Sequence, residues 1–86
     1  MNKEIIDDLI FAVEQQIEST ETKYVKDVYD TILKKGILEN EAKLMIGRAL
    51  LMEIDYIHSK GGEFSQERYK NYLKELLEQV EDNCGK

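Results

Sequence analysis

Residues 29–51 read YDTILKKGILENEAKLMIGRALL, and how this stretch is parsed decides the fold. A helical run ends at Lys34-Lys35-Gly36, and a second begins a few residues later. Lys34 and Lys35 suit the negative end of a helix dipole, and Gly36 suits the residue just past a helix. Glu39 and Glu41 suit the positive end of the next dipole. The stretch is therefore helix, turn, helix. In a DNA-binding helix-turn-helix, the N-terminal residues of the second helix enter the major groove. Here those residues are Glu39, Asn40 and Glu41, with only Lys43 and Arg48 as nearby bases. Two carboxylates at that end oppose phosphate. The second helix is also largely apolar, so its surface belongs inside a protein. The stretch is a corner between two helices of a bundle.

Working outward, four helices are predicted, over about residues 3–18, 21–35, 39–59 and 65–82. In the first, Ile5, Leu9, Val13 and Ile17 recur at helical spacing, with Ile6 and Ile10 widening the stripe. The segment Ser19-Thr20-Glu21-Thr22 is a polar break rich in capping residues. The second helix buries Val25, Val28, Tyr29 and Ile32, with Tyr24 and Leu33 at the edges. In the third, Ala42, Ile46, Ala49, Leu50 and Ile57 gather on one side, beside Met45, Met52 and Tyr56. Leu44 and Leu51 fall opposite. A helix apolar on more than one face is central, and Ala42, Gly47 and Ala49 are small enough for close approach by neighbours. Lys60-Gly61-Gly62 ends it. Ser65 is the N-cap of the fourth helix, whose seam is Tyr69, Leu73, Leu76 and Val80, widened by Tyr72 and Leu77. Short connections predict antiparallel neighbours. The expectation is all-α: one small antiparallel bundle of about four helices, forming a single domain over residues 1–86.

Composition fits that fold. Of 86 residues, 42% are hydrophobic and 35% charged, with no proline and a net charge of −6. Residues 1–22 hold six acids and one lysine, whereas residues 23–36 hold four lysines and two acids. No strongly basic face forms, which counts against nucleic acid as a partner. No apolar run reaches transmembrane length, and Asp7 and Asp8 interrupt the only N-terminal one. The single cysteine, Cys84, cannot form an internal disulfide. The expected location is cytoplasmic, with no membrane partner.

Few residues offer chemistry. Glu53 projects into the apolar stripe of the third helix, and a buried carboxylate needs a partner or a proton. One reading makes it a general acid or base with a raised pKa. The other makes it structural, bonded to Arg68 or to a tyrosine such as Tyr29 or Tyr69, with Arg68 the expected contact. Asp55 and His58 share a face, but one histidine cannot build a carboxylate-bridged di-metal bundle, and one Cys with one His does not hold zinc. No cofactor or metal is expected. Cys84 follows Glu81 and Asp82, an acidic setting that disfavours a reactive thiolate. Gly61-Gly62 lacks the lysine of a phosphate loop. Phe11 lies on the polar side of the first helix, among Asp7, Glu14 and Glu18. With Leu44 and Leu51 it is the candidate interaction surface.

From about Ile32 to Leu76 the chain resembles a family of small, uncharacterised bacterial all-helical proteins. The matching residues are Gly36, Glu41-Ala42, Ile46, Glu53, Gly61, Phe64-Ser65-Gln66-Glu67-Arg68-Tyr69 and Leu73. Leu38 stands where that pattern has a capping Ser or Thr, and Glu63 where it often has Pro. The resemblance implies a helical domain and no known activity.

Two functions are carried forward. The first is a non-catalytic interaction or regulatory module that binds a protein partner or itself through an apolar patch ringed by acids. The acidic first helix also permits mimicry of nucleic acid toward a basic partner. The alternative is an acid–base enzyme or small-ligand binder built around Glu53, Arg68 and nearby tyrosines.

Overall fold

The computed structural model describes the backbone of residues 3–84 and the side chains of residues 6–80. The elements are α1 (Lys3–Glu18), a 3-10 turn (Thr20–Thr22), α2 (Lys23–Lys34), α3 (Glu39–Lys60) and α4 (Gln66–Cys84). The described residues contain no strand.

Each break has a local cause. Ser19 accepts the Glu21 N–H on its hydroxyl (3.2 Å) and the Thr22 N–H on its carbonyl (3.3 Å), which makes a separate 3-10 turn. The Thr22 hydroxyl then donates to the Gln16 carbonyl at 2.7 Å, which also accepts the Ser19 N–H at 3.3 Å at the end of α1. These bonds delay α2 to Lys23, two residues after the expected start. At the corner of the opening stretch, Lys35 and Gly36 donate backward to the Ile32 and Leu33 carbonyls, both at 3.0 Å. Gly36 adopts a φ of 90°, in the region where a Cβ is disfavoured. Leu38 then stands at the N-cap of α3 without a side-chain cap. Its carbonyl still accepts the Ala42 N–H at 2.9 Å, so the helix starts at Glu39 regardless.

Helix α3 runs antiparallel to both α1 and α4. Lys43, early in α3, reaches Glu14 late in α1, and Glu53, late in α3, reaches Arg68 early in α4. Helices α2 and α3 each contact all the other helices, while the backbones of α1 and α4 do not approach one another among the described residues. One core holds the four together, with Val13, Val25, Ile32, Ile46, Tyr69 and Leu73 buried in it. The side chain of Ile5, assigned to the α1 stripe, lies outside the described residues.

Helices α1 and α3 approach closely at Gly47. A Cβ on Gly47 would stand 3.0 Å from Leu9 Cδ2 and Cγ. The hydrogen side chain therefore leaves room for Leu9 against α3. This close approach also corrects the placement of Leu51. It is half-buried and packs on the core, because α1 lies over that side of α3. The side of α3 carrying Met52 and Tyr56, expected to border the core, is instead open: these residues are 49% and 38% exposed.

Candidate functional site at the α3–α4 junction

Glu53 sits in the final third of α3 on the face that meets α4, and none of its surface is exposed. Its carboxylate accepts three hydrogen bonds. Arg68 donates Nε to Oε1 at 2.9 Å and Nη2 to Oε2 at 2.9 Å. The Ser65 N–H donates to Oε2 at 2.8 Å. The Arg68 Nη2 also donates to the Glu63 carbonyl at 3.1 Å, and its guanidinium lies over the Tyr56 ring, 4.1 Å from the centroid.

The chain builds this arrangement from the start of α4. Ser65 is its N-cap, accepting the Arg68 N–H on its hydroxyl at 3.2 Å. In a capping box, an acid three residues after the cap would reach back to the cap's own N–H. Here that position is Arg68. The acid comes instead from Glu53 on the preceding helix, and Arg68 holds it there. The ion pair and the helix cap are thus one structure.

The electrostatics follow the geometry. The bonds from Arg68 hold the Glu53 carboxyl below its ordinary range, burial opposes this, and the Ser65 N–H adds to the lowering. Of the two sequence readings of Glu53, the expected contact with Arg68 is present, and the raised pKa of the acid–base alternative is not. Burial does push the pKa up, but the paired guanidinium outweighs it. The same bonds make Arg68 hold its proton more firmly.

Tyr69 does not join Glu53. Its ring is fully buried and its hydroxyl donates to Gln16 Oε1 at 2.6 Å, the link that joins α4 to α1. Burial pushes its phenol far above the ordinary tyrosine range. Tyr24 and Phe64 meet its ring edge-to-face, with centroids at 5.9 and 5.6 Å. The Tyr24 hydroxyl is buried with no hydrogen-bond partner among the described residues.

The candidate surface residues do not share one depression. Phe11 is 61% exposed and borders a hollow with Glu14, Gln15, Ile17, Glu18, Tyr29 and Lys43. Leu51 lines a different hollow beside Asp8, Leu9 and Ala12, and Leu44 is 36% exposed. Asp55 and His58 are exposed near the end of α3, and the described residues hold no group of three or more His, Cys, Asp or Glu placed for a metal. The side chains of Glu81, Asp82 and Cys84 lie outside the described residues. No described helix is long and apolar enough to cross a membrane.

Three contacts escaped the sequence reading. The Lys43–Glu14 ion pair (2.8 Å) and the Tyr69–Gln16 bond join residues far apart in the chain, with no local signal. Gly47 was legible as a small residue, but its partner Leu9 was not.

No family model, curated protein or solved structure matches this chain. Glu53, Ser65 and Arg68 meet at the α3–α4 junction.

Proposed function

We propose that this chain is a non-catalytic interaction module that docks a basic protein partner through the outer face of α1. The carrying observation is Phe11, a large aromatic side chain left 61% exposed. Asp7, Asp8, Glu14 and Glu18 lie three, four or seven residues away, so they surround it on one helical face. Asp7, Asp8 and Glu18 are exposed, while Glu14 is engaged by Lys43. An aromatic anchor within a charged rim suits a partner with an apolar pocket and basic edges. A net charge of −6 would steer such a partner inward.

The alternative, acid–base chemistry or ligand binding at Glu53, is opposed by the geometry of that residue. Both its oxygens are taken, it is wholly buried, and Arg68 holds its carboxyl below the ordinary range.

The test is capture of partners from the native lysate by wild type and by Phe11→Asp, at low and high salt. The reading predicts a stoichiometric basic partner that the substitution abolishes and salt weakens. A capture profile that Phe11→Asp leaves unchanged overturns it.

A further inference from the structure

A groove of about 400 Å³ runs between α3 and α4, and neither α1 nor α2 lines it. Met45, Ala49 and Met52 line one bank, and Tyr72, Leu76 and Val80 the other. Arg48 stands on the α3 bank and Glu75 on the α4 bank. Both are exposed, and among the described residues neither forms an ion pair.

Their heights along the groove match. The helices are antiparallel and in register at Glu53–Arg68. Five residues back from Glu53 is Arg48, and five on from Arg68 is Leu73. Glu75 is two residues further, an offset of about 3 Å at the helical rise. One bank therefore carries a cation and the other an anion, neither paired among the described residues, at nearly the same level.

We infer that this groove is the contact surface between two copies of the chain. A twofold axis parallel to the helices lays α3 of one copy over α4 of the other. Arg48 of each copy then faces Glu75 of its partner, and two reciprocal ion pairs flank an apolar centre. A different protein would need to bring its own acid and base at that spacing, whereas a second copy has both. Two helices from Met45 to Tyr56 offer a face of roughly 20 by 17 Å. That is roughly 340 Å² on each copy, below the area of a stable specific interface, so the dimer is weak and concentration-dependent. It does not depend on the role proposed for Phe11, which lies outside the groove.

The test is sedimentation equilibrium from micromolar to millimolar protein, with thermal melts to establish that each variant is folded. Wild type should form a dimer. Arg48→Glu and Glu75→Arg should each weaken it by at least about tenfold, because each places like charges together twice. An equimolar mixture of the two variants should dimerise again, since the heterodimer restores both pairs. Glu75→Arg is decisive because it lowers the net negative charge. General repulsion alone would make that variant dimerise more strongly. Phe11→Asp should leave the dimer intact, which separates this result from the fate of the α1 proposal. A wild type that stays monomeric throughout overturns the inference. So does a dimer indifferent to Glu75→Arg, or a mixture that fails to associate.

Discussion

Arg68 grips Glu53 through two parallel hydrogen bonds, Nε to Oε1 and Nη2 to Oε2, both 2.9 Å long. The carboxylate is buried while the Arg68 side chain is 32% exposed, so the pair is lopsided. Removing the guanidinium strands a buried charge. Removing the carboxylate leaves a cation that can still reach water.

Glu53→Gln keeps the volume but replaces one acceptor oxygen with a donor facing the Ser65 N–H or Arg68. Lost charge-assisted bonds and a mispaired buried amide should cost about 2 kcal/mol, lowering the melting temperature by about 10 °C. Arg68→Lys keeps the charge but not the fork, and should destabilise to a smaller degree. Denaturant unfolding of the two variants and wild type checks both. An unchanged Glu53→Gln midpoint contradicts the role given to the pair.

The pH dependence has a fixed sign. The folded pKa of Glu53 lies below its unfolded value. Its contribution is therefore complete above the ordinary glutamate range and is lost as pH falls through that range toward the folded value. Below about pH 4, wild type should lose stability more steeply than Glu53→Gln. Tyr69 acts at the other end. Its folded pKa is raised, so stability falls as pH rises above about 10, the ordinary tyrosine value. Melting curves across pH, with tyrosinate absorbance at the alkaline end, measure both.

The two tyrosine hydroxyls should respond in opposite ways. Tyr69→Phe removes the bond to Gln16 and should cost about 1 kcal/mol. Tyr24→Phe removes a buried hydroxyl that has no partner among the described residues, and should be neutral or stabilising by up to about 1 kcal/mol. Paired unfolding curves would reveal the contrast, and equal losses would contradict it.

At Gly47 two effects compete. Alanine gains about 1 kcal/mol in helix propensity over glycine, but its Cβ meets Leu9 at 3.0 Å. Gly47→Ala should therefore come out near neutral. Gly47→Val brings two further methyls and a poorer helix former, and should cost about 2 kcal/mol. Stability measurements on the two variants should separate them clearly.

The sequence carried the helices well because their signals are local. Gly36, Glu39 and Ser65 mark ends through chain-neighbour chemistry, and the stripes of α2 and α4 follow helical period. Glu53 was legible because a lone carboxylate on an apolar stripe requires a partner, and Arg68 lies a short loop away. Leu51 was misplaced because periodicity says which residues share a face, and not which neighbour covers that face. Tyr69 and Gln16 lie 53 residues apart, and only the packed bundle brings them together.

The central claim is that the α1 face binds while the Glu53 junction holds the fold. The most direct measurement is a quantitative comparison of partner capture by wild type, Phe11→Asp and Glu53→Gln, each below its own melting temperature. The account predicts that Phe11→Asp loses the partner and Glu53→Gln retains it. Loss with Glu53→Gln and retention with Phe11→Asp would contradict the account and move the function to the α3–α4 junction.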